Sequence, residues 1–426
     1  MFVFFVLITL ITCLQAPLNP AIDNFYNPPK HLERNKLGDI LKWRKVPFPV
    51  TSMFVNLPIS NAWQVSIRSQ DTLNNPIAIV ATILEPPNGN KNKLISHQAF
   101  ENSPLLSCSP SYSMQVPSFE TFQIQADLIF ISGLLDQGWY VVVPDYEGPN
   151  SVFPVGRQSA YSVLDSIRGA IKFLNPTGHS TTKTALLGYS YGAVASLWAS
   201  VLQPNYAPEL ELVGAAVGCT IPNITAFIER VDEGPYSGLI VNIFNGLANE
   251  YSHFRDRIIH YGALQPLACL FPICKKFFFQ KMIGGVYDAQ VLNDKIIKET
   301  IEINNLLETQ TIPRIPIFLF HSRFNEMSPF SEILKLKDLW CSNPEVDLEI
   351  AEDMSYNHMV EAFSGMPAAI TWIDRRWKNN SNSQGCKHIY RLSNFEYPGI
   401  APFVSQYFRS SLKMILNNRY FNNTLG

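Results

Sequence analysis

The chain alternates between short, almost wholly apolar runs and longer stretches in which apolar residues recur every three or four positions. Residues 77–84, 93–100, 139–144, 212–218, 315–322 and 346–350 read as strands. The run Trp139-Tyr140-Val141-Val142-Val143-Pro144 is apolar at both parities, the mark of a strand buried on both faces. Between these runs lie helical patterns near 122–137, 158–174, 331–340 and 359–377. The second carries Ala160, Val163, Leu164, Ile167 and Ile171 on one face. Such alternation predicts an α/β fold, with a mostly parallel sheet covered on both sides.

The alternation stops over residues 221–310, which are helix-like and rich in Phe, with apolar runs at 239–244, 267–271 and 277–279. Two readings stand there: a helical cap or lid inserted into the core, or a helical layer packed as ordinary core. Residues 17–70, rich in Pro and Asn, read as an extended lead-in. The core then falls in two parts, 71–220 and 311–378. Residues 379–426 read as a polar tail with an amphipathic stretch near 404–416.

One stretch changes the picture from architecture to chemistry. Gly188-Tyr189-Ser190-Tyr191-Gly192 follows a predicted strand and opens a helix of small residues. That is the context of a G-x-S-x-G nucleophile elbow, in which two glycines allow the sharp turn and the serine stands above the sheet edge. The helix N-terminus beneath Ser190 suits a developing oxyanion, with the Tyr191 backbone N–H as one donor. A fold of this kind places serine, acid and histidine in that chain order, on loops at one sheet edge. His358 follows the strand at 346–350 and precedes a helix, so it is the histidine expected to act as general base.

The acid position is less regular. The loop after residues 315–322 offers Asn325, followed by Glu326. An amide can hold an imidazole but adds no charge, and can select the wrong tautomer. Glu326, or failing it Asp353, is the candidate for the missing charge. The second oxyanion donor falls on Phe100-Glu101-Asn102-Ser103, through the backbone or the side chain of Asn102; the alternative is that Asn-Ser-Pro there is only a turn.

Composition narrows the partners. The chain has 426 residues, 46% hydrophobic and 12% aromatic, and a net charge of −2. With 16% charged residues there is no basic stripe to follow phosphates, which excludes nucleic acid. The 28 Phe and a mean hydropathy of +0.02 fit either a well-filled core or an apolar binding surface. No H-E-x-x-H, C-x-x-C or G-x-G-x-x-G stands in context, so no metal and no cofactor is expected.

Residues 1–16 carry no charge and are short of the ~20 residues of a membrane span, so a secretory signal is expected rather than a stable span. An uncleaved anchor is the alternative, since no Lys or Arg precedes the run and Pro17 follows Ala16. Asn223, Asn379 and Asn422 head N-x-S/T sequons. Beyond Cys13, six cysteines allow two or three disulfides of unfixed pairing.

Taken together, several stretches resemble the fungal secretory lipase family, of the lipase A type found in yeasts. They are Phe100-Glu101-Asn102-Ser103 with Cys108-Ser109-Pro110-Ser111-Tyr112, the run from Gly138 to Gly148, the elbow, Tyr206-Ala207-Pro208-Glu209-Leu210, the strand ending at His321, and His358-Met359-Val360-Glu361. The resemblance spans residues 20–400. It implies an α/β-hydrolase core with a helical cap, acting on triacylglycerols and other carboxylic esters. The chain is expected to be secreted and monomeric, meeting a lipid or ester substrate at an oil–water interface. The resemblance also implies Ser190 as nucleophile, His358 as base, and the disulfides Cys108–Cys269 and Cys341–Cys386. Cys219 and Cys274 would be left free or paired with each other.

The chain departs from the family where an aspartate is usual, at Asn325 and Asn102. Tyr191, where glycine is common, is expected to narrow the space beside Ser190. The sequence therefore supports a secreted serine lipase or esterase. Its rival is a weakened relative that binds lipid without efficient hydrolysis. A hydrolase of peptides or small polar esters fits the apolar 221–310 region less well.

Overall fold

The computed structural model describes residues 16–178, 180–354, 357–378 and 385–417. Nearly all of residues 1–16, and the sequons at Asn379 and Asn422, lie outside the described residues. Ten strands form one sheet: β1 (Ile40–Lys45), β2 (Asn61–Gln70), β3 (Pro76–Glu85), β4 (Asn90–Gln98), β5 (Trp139–Pro144), β6 (Lys183–Tyr189), β7 (Leu212–Gly218), β8 (Ile317–Ser322), β9 (Leu348–Asp353) and β10 (Cys386–Arg391). Their spatial order is β1-β2-β3-β5-β4-β6-β7-β8-β9-β10. Pairing is antiparallel from β1 to β5 and parallel from there on.

The parallel strands are apolar throughout because both faces are covered. Leu186 of β6 packs under the helices Gly156–Leu174 and Tyr191–Tyr206. Its neighbours Ala185 and Leu187 face the opposite layer, formed by Phe122–Leu135, His358–Trp377 and Pro402–Asn417. Among the described residues no helix is long and apolar enough to cross a membrane.

Three sequence expectations change. The segment 17–70 is no mere lead-in, since it supplies β1 and β2. β2 hid its alternation because its polar residues are buried too: Gln64 and Ser69 are fully enclosed, Gln64 bonding Arg44 and the Ser111 carbonyl, and Ser69 bonding Asp165. The segment 379–426 is no mere tail, because β10 pairs in register with β9 and the helix Pro402–Asn417 packs on two others. β10 is exposed along its length, so no burial pattern announced it. The strand expected at 346–350 runs instead to Asp353, and the helix after it begins at His358 itself.

Between β7 and β8 the chain forms five α-helices, Ile224–Val231, Gly238–Glu250, Ser252–Ile258, Leu270–Lys276 and Lys295–Glu302, with no ladder strand among the described residues. Cys108–Cys269 ties this region to the loop after β4, and Cys341–Cys386 ties β10 to the helix Phe330–Cys341. Cys219 and Cys274 are free thiols and both buried.

Candidate active site

β6 ends at Tyr189, and Ser190 takes φ 56°, ψ −122° before the helix Tyr191–Tyr206 begins. A non-glycine residue holds such a conformation only where its surroundings impose it, at a cost of about 1–3 kcal/mol. Here the Ser190 N–H donates to the Gly218 carbonyl at 2.8 Å. The two glycines are required by contact. A Cβ on Gly192 would stand 1.9 Å from the Gln98 carbonyl oxygen, and one on Gly188 would stand 2.2 Å from the Gly192 oxygen.

Tyr191 does not narrow the site, contrary to expectation. Its ring turns into the core, 4.7 Å from Phe153 and 6.2 Å from Tyr146 between centroids, and is 2% exposed. Its backbone N–H, at the first position of the helix, has no partner among the described residues.

Ser190 and His358 line one apolar cavity of about 100 Å³. Its walls come from Phe100, Asn102, Met327 and Ala362 of the core and from Tyr236 and Phe271 of the helical region. His358 is held through its backbone: its carbonyl accepts from the Tyr189 hydroxyl and its N–H donates to Glu326 Oε2 at 2.7 Å. Burial first, then the nearby His321, push the imidazole pKa down to about 3.

Asn325, the residue expected at the acid position, lies beside the His358 ring, and its orientation is fixed. Oδ1 accepts from the N–H groups of Met327 and Ser328, both at 2.9 Å. Backbone N–H groups can only donate, so the amide nitrogen must point the other way. That nitrogen lies 3.0 Å from His358 Nδ1 and 2.9 Å from Cys219 Sγ. An NH₂ facing Nδ1 makes that ring nitrogen the acceptor and leaves the ring proton on Nε2.

Neither candidate replacement acid reaches the ring nitrogens. Glu326 is engaged at the His358 backbone, with its pKa raised by burial. Asp353 Oδ2 accepts from Ser364 Oγ at 3.1 Å and from the Asn394 N–H at 3.2 Å. It also lies against Glu361, whose pKa rises through burial first and then through its bond with Asp353.

The loop after β4 brings Asn102 to the cavity with φ 52°. Its carbonyl accepts from Asn242 Nδ2 at 2.8 Å, a fully buried amide on the helix Gly238–Glu250. On the buried side sit three carboxyls, Glu101, Asp145 and Glu147, each with its pKa raised by burial, Asp145 to about 7. The N–H groups of Ser103 and Asn102 draw the Glu147 pKa partly back down. Neither Glu147 oxygen has a well-formed hydrogen bond among the described residues, so these N–H groups act at longer range or poorer angle.

Sequence reasoning missed Cys219, Asn242 and Glu147. Cys219 directly follows β7, the strand between β6 and β8, which lead to Ser190 and Asn325, but only the strand order reveals this. No sequence signal marks Asn242. Asn223, the remaining sequon, is half-buried and caps the helix Ile224–Val231, while its amide nitrogen donates to Glu332 at 3.1 Å. Among the described residues no group of His, Cys, Asp and Glu is arranged to hold a metal ion.

Comparison with known proteins places this geometry in a family, for the secretory lipase model matches residues 114–385. The chain belongs to the secretory lipase family. It is 86% identical over 425 residues to Lipase 7 of Candida albicans, covering the whole of both chains. Lipase 4 of the same organism is 38% identical over 433 residues, covering 98% of this chain and 94% of its own. Among solved structures, Candida antarctica lipase A superposes with a TM-score of 0.81 over 93% of this chain and 96% of its own, at 23% identity. At that identity the likeness is one of fold, and the fold is that of the α/β-hydrolases. Within the secretory lipase frame, the helical region 221–310 contributes walls to the cavity that holds Ser190 and His358.

Proposed function

We propose that this chain is a secreted serine lipase that cleaves carboxylic esters of apolar acyl chains, triacylglycerols among them, through an acyl-enzyme. Ser190 Oγ attacks the ester carbonyl carbon while His358 Nε2 accepts its proton. The carbonyl oxygen becomes an oxyanion facing the Tyr191 N–H and the side-chain amide of Asn102. The tetrahedral adduct collapses as the C–O bond to the leaving alcohol breaks, and His358 returns the proton to that oxygen. Water, deprotonated by His358, then releases the fatty acid from Ser190. The observation that carries the reading is the strained Ser190 on its elbow, in one apolar cavity with a neutral His358.

The side chain of Asn102 is the donor favoured over its backbone, because its N–H is drawn toward Glu147 and its carbonyl is held by Asn242. The helices of 221–310 serve as the cap. Secretion is supported by the family and by two disulfides, which persist in oxidising compartments.

One observation shapes the rate. Asn325 holds His358 in the tautomer whose Nε2 carries a proton, so the resting base must change tautomer against that amide before it can accept from Ser190. Slow turnover follows. The test is labelling by a fluorophosphonate probe together with initial rates on nitrophenyl esters of increasing chain length. Labelling that Ser190→Ala abolishes, with a rate maximum at medium or long acyl chains, is the expected result. Labelling retained by Ser190→Ala would refute the assignment, and a maximum at acetate would refute the lipid preference.

A further inference from the structure

The helix Leu270–Lys276 and the turn after it form one rim of the cavity, and their side chains divide by environment. Ile273, Cys274 and Phe277 face inward and are buried. Phe278 and Phe279 face outward, 37% and 60% exposed, with ring centroids 4.5 Å apart. Phe119, also 37% exposed, belongs to the same rim. Three exposed phenylalanines at the mouth of an apolar cavity mark a surface built to leave water.

Two lysines share this rim. Lys275 Nζ lies 5.7 Å from the centre of the Phe119 ring, and Lys276 Nζ lies 5.0 Å from that of Phe277. Among the described residues neither has a carboxylate partner. Lys281, just beyond, is paired with Glu233 at 3.0 Å. Glu120, beside Phe119, is an exposed acid at this edge. The rim thus offers apolar rings and two lysines without an ion-pair partner among the described residues, against one exposed acid.

We propose that this face seats the protein on a lipid surface of negative charge, with the phenylalanines entering the acyl boundary and Lys275 and Lys276 meeting anionic phospholipid headgroups. The occupant follows from charge complementarity: aromatic rings alone would serve a neutral surface equally well, whereas unpaired lysines distinguish an anionic one. The proposal rests on the lipase reading for its purpose. Its consequence is that the cavity holding Ser190 opens into the layer where acyl chains are presented.

The test is co-sedimentation of the full chain, carried as Ser190→Ala to prevent hydrolysis, with vesicles of phosphatidylcholine alone or with added phosphatidylglycerol. Binding to the anionic vesicles should be the tighter and should weaken with salt. Each lysine near such a surface is worth about five-fold in affinity, so Lys275→Gln/Lys276→Gln should bind anionic vesicles about 25-fold more weakly. Phe279→Ser should weaken binding to both vesicle types, with thermal unfolding checking that each variant is folded. Equal affinity for the two vesicles, or no loss in the lysine variant, would overturn the proposal. So would a dimer that forms through this face while vesicles go unbound. Hydrolysis of a soluble short ester by the parent chain, measured separately, tells failure of this proposal from failure of the lipase reading.

Discussion

Replacing Asn325 by Asp changes one atom's chemistry with little change of shape, and the surroundings are already arranged for a carboxylate. One oxygen keeps the two 2.9 Å bonds from Met327 and Ser328. The other takes the place of the amide nitrogen, 3.0 Å from His358 Nδ1, and accepts a proton there instead of donating one. The ring then rests with Nδ1 protonated and Nε2 free to accept from Ser190. When the imidazolium forms, the carboxylate stabilises it. At an effective dielectric of ~20 and ~4 Å between charge centres that attraction is about 4 kcal/mol, which corresponds to about three powers of ten in rate. The reverse exchange in the serine-protease template loses ~10⁴ in turnover, which brackets the figure from above. Burying a new charge at a site 3% exposed subtracts from it, although three donors meet the carboxylate. Asn325→Asp should therefore raise kcat/KM on a medium-chain nitrophenyl ester by ~10²–10³ over the parent, with Ser190→Ala as blank. A folded Asn325→Asp no faster than the parent would refute the tautomer reasoning. The pH profile gives an independent reading. With its pKa near 3, His358 is neutral above that pH, so the parent rate should hold down to about pH 4. The new carboxylate favours the imidazolium, so the acid limb in Asn325→Asp must move to higher pH.

Three further outcomes follow from other parts of the fold. Glu101, Asp145 and Glu147 have folded pKa values above their unfolded ones, so the native state binds more protons; their contribution is full below the unfolded carboxylate range and is lost as pH rises through the folded values, Asp145 near 7. Melting temperature should thus fall from pH 5 to 8, and Glu147→Gln should flatten that slope. Asn242→Ala removes the buried bond to the Asn102 carbonyl at a cost of about 1–3 kcal/mol. It should lower kcat more than it raises KM, and a KM effect alone would place Asn242 outside oxyanion-loop positioning. Replacing both Cys341 and Cys386 by Ser opens a loop of 45 residues and should cost about 4 kcal/mol in denaturant unfolding, β10 losing its tether.

Much of the framework was legible in the chain because its signals are local. An apolar strand, a turn that tolerates only glycine and a helix of small residues lie together around Ser190, so hydrophobic period and steric need disclosed the elbow at once. β5 and β7 were read to the residue, since strands buried on both faces announce themselves by composition alone. β1, β2 and β10 escaped for the opposite reason, lying at sheet edges or burying polar groups that bond to partners far along the chain.

The chemistry divides the same way. The sequence determined which residue is nucleophile candidate, which histidine follows the last strands of the core, and that an amide stands at the candidate acid position. Only the tertiary structure decided which way that amide points. Two backbone N–H groups of its own loop fix Oδ1, the thiol just past β7 flanks its nitrogen, and His358 arrives at the start of the helix that follows β9. A proton's place on an imidazole is set by the donors and acceptors around it, and those come together only when the sheet edge is assembled.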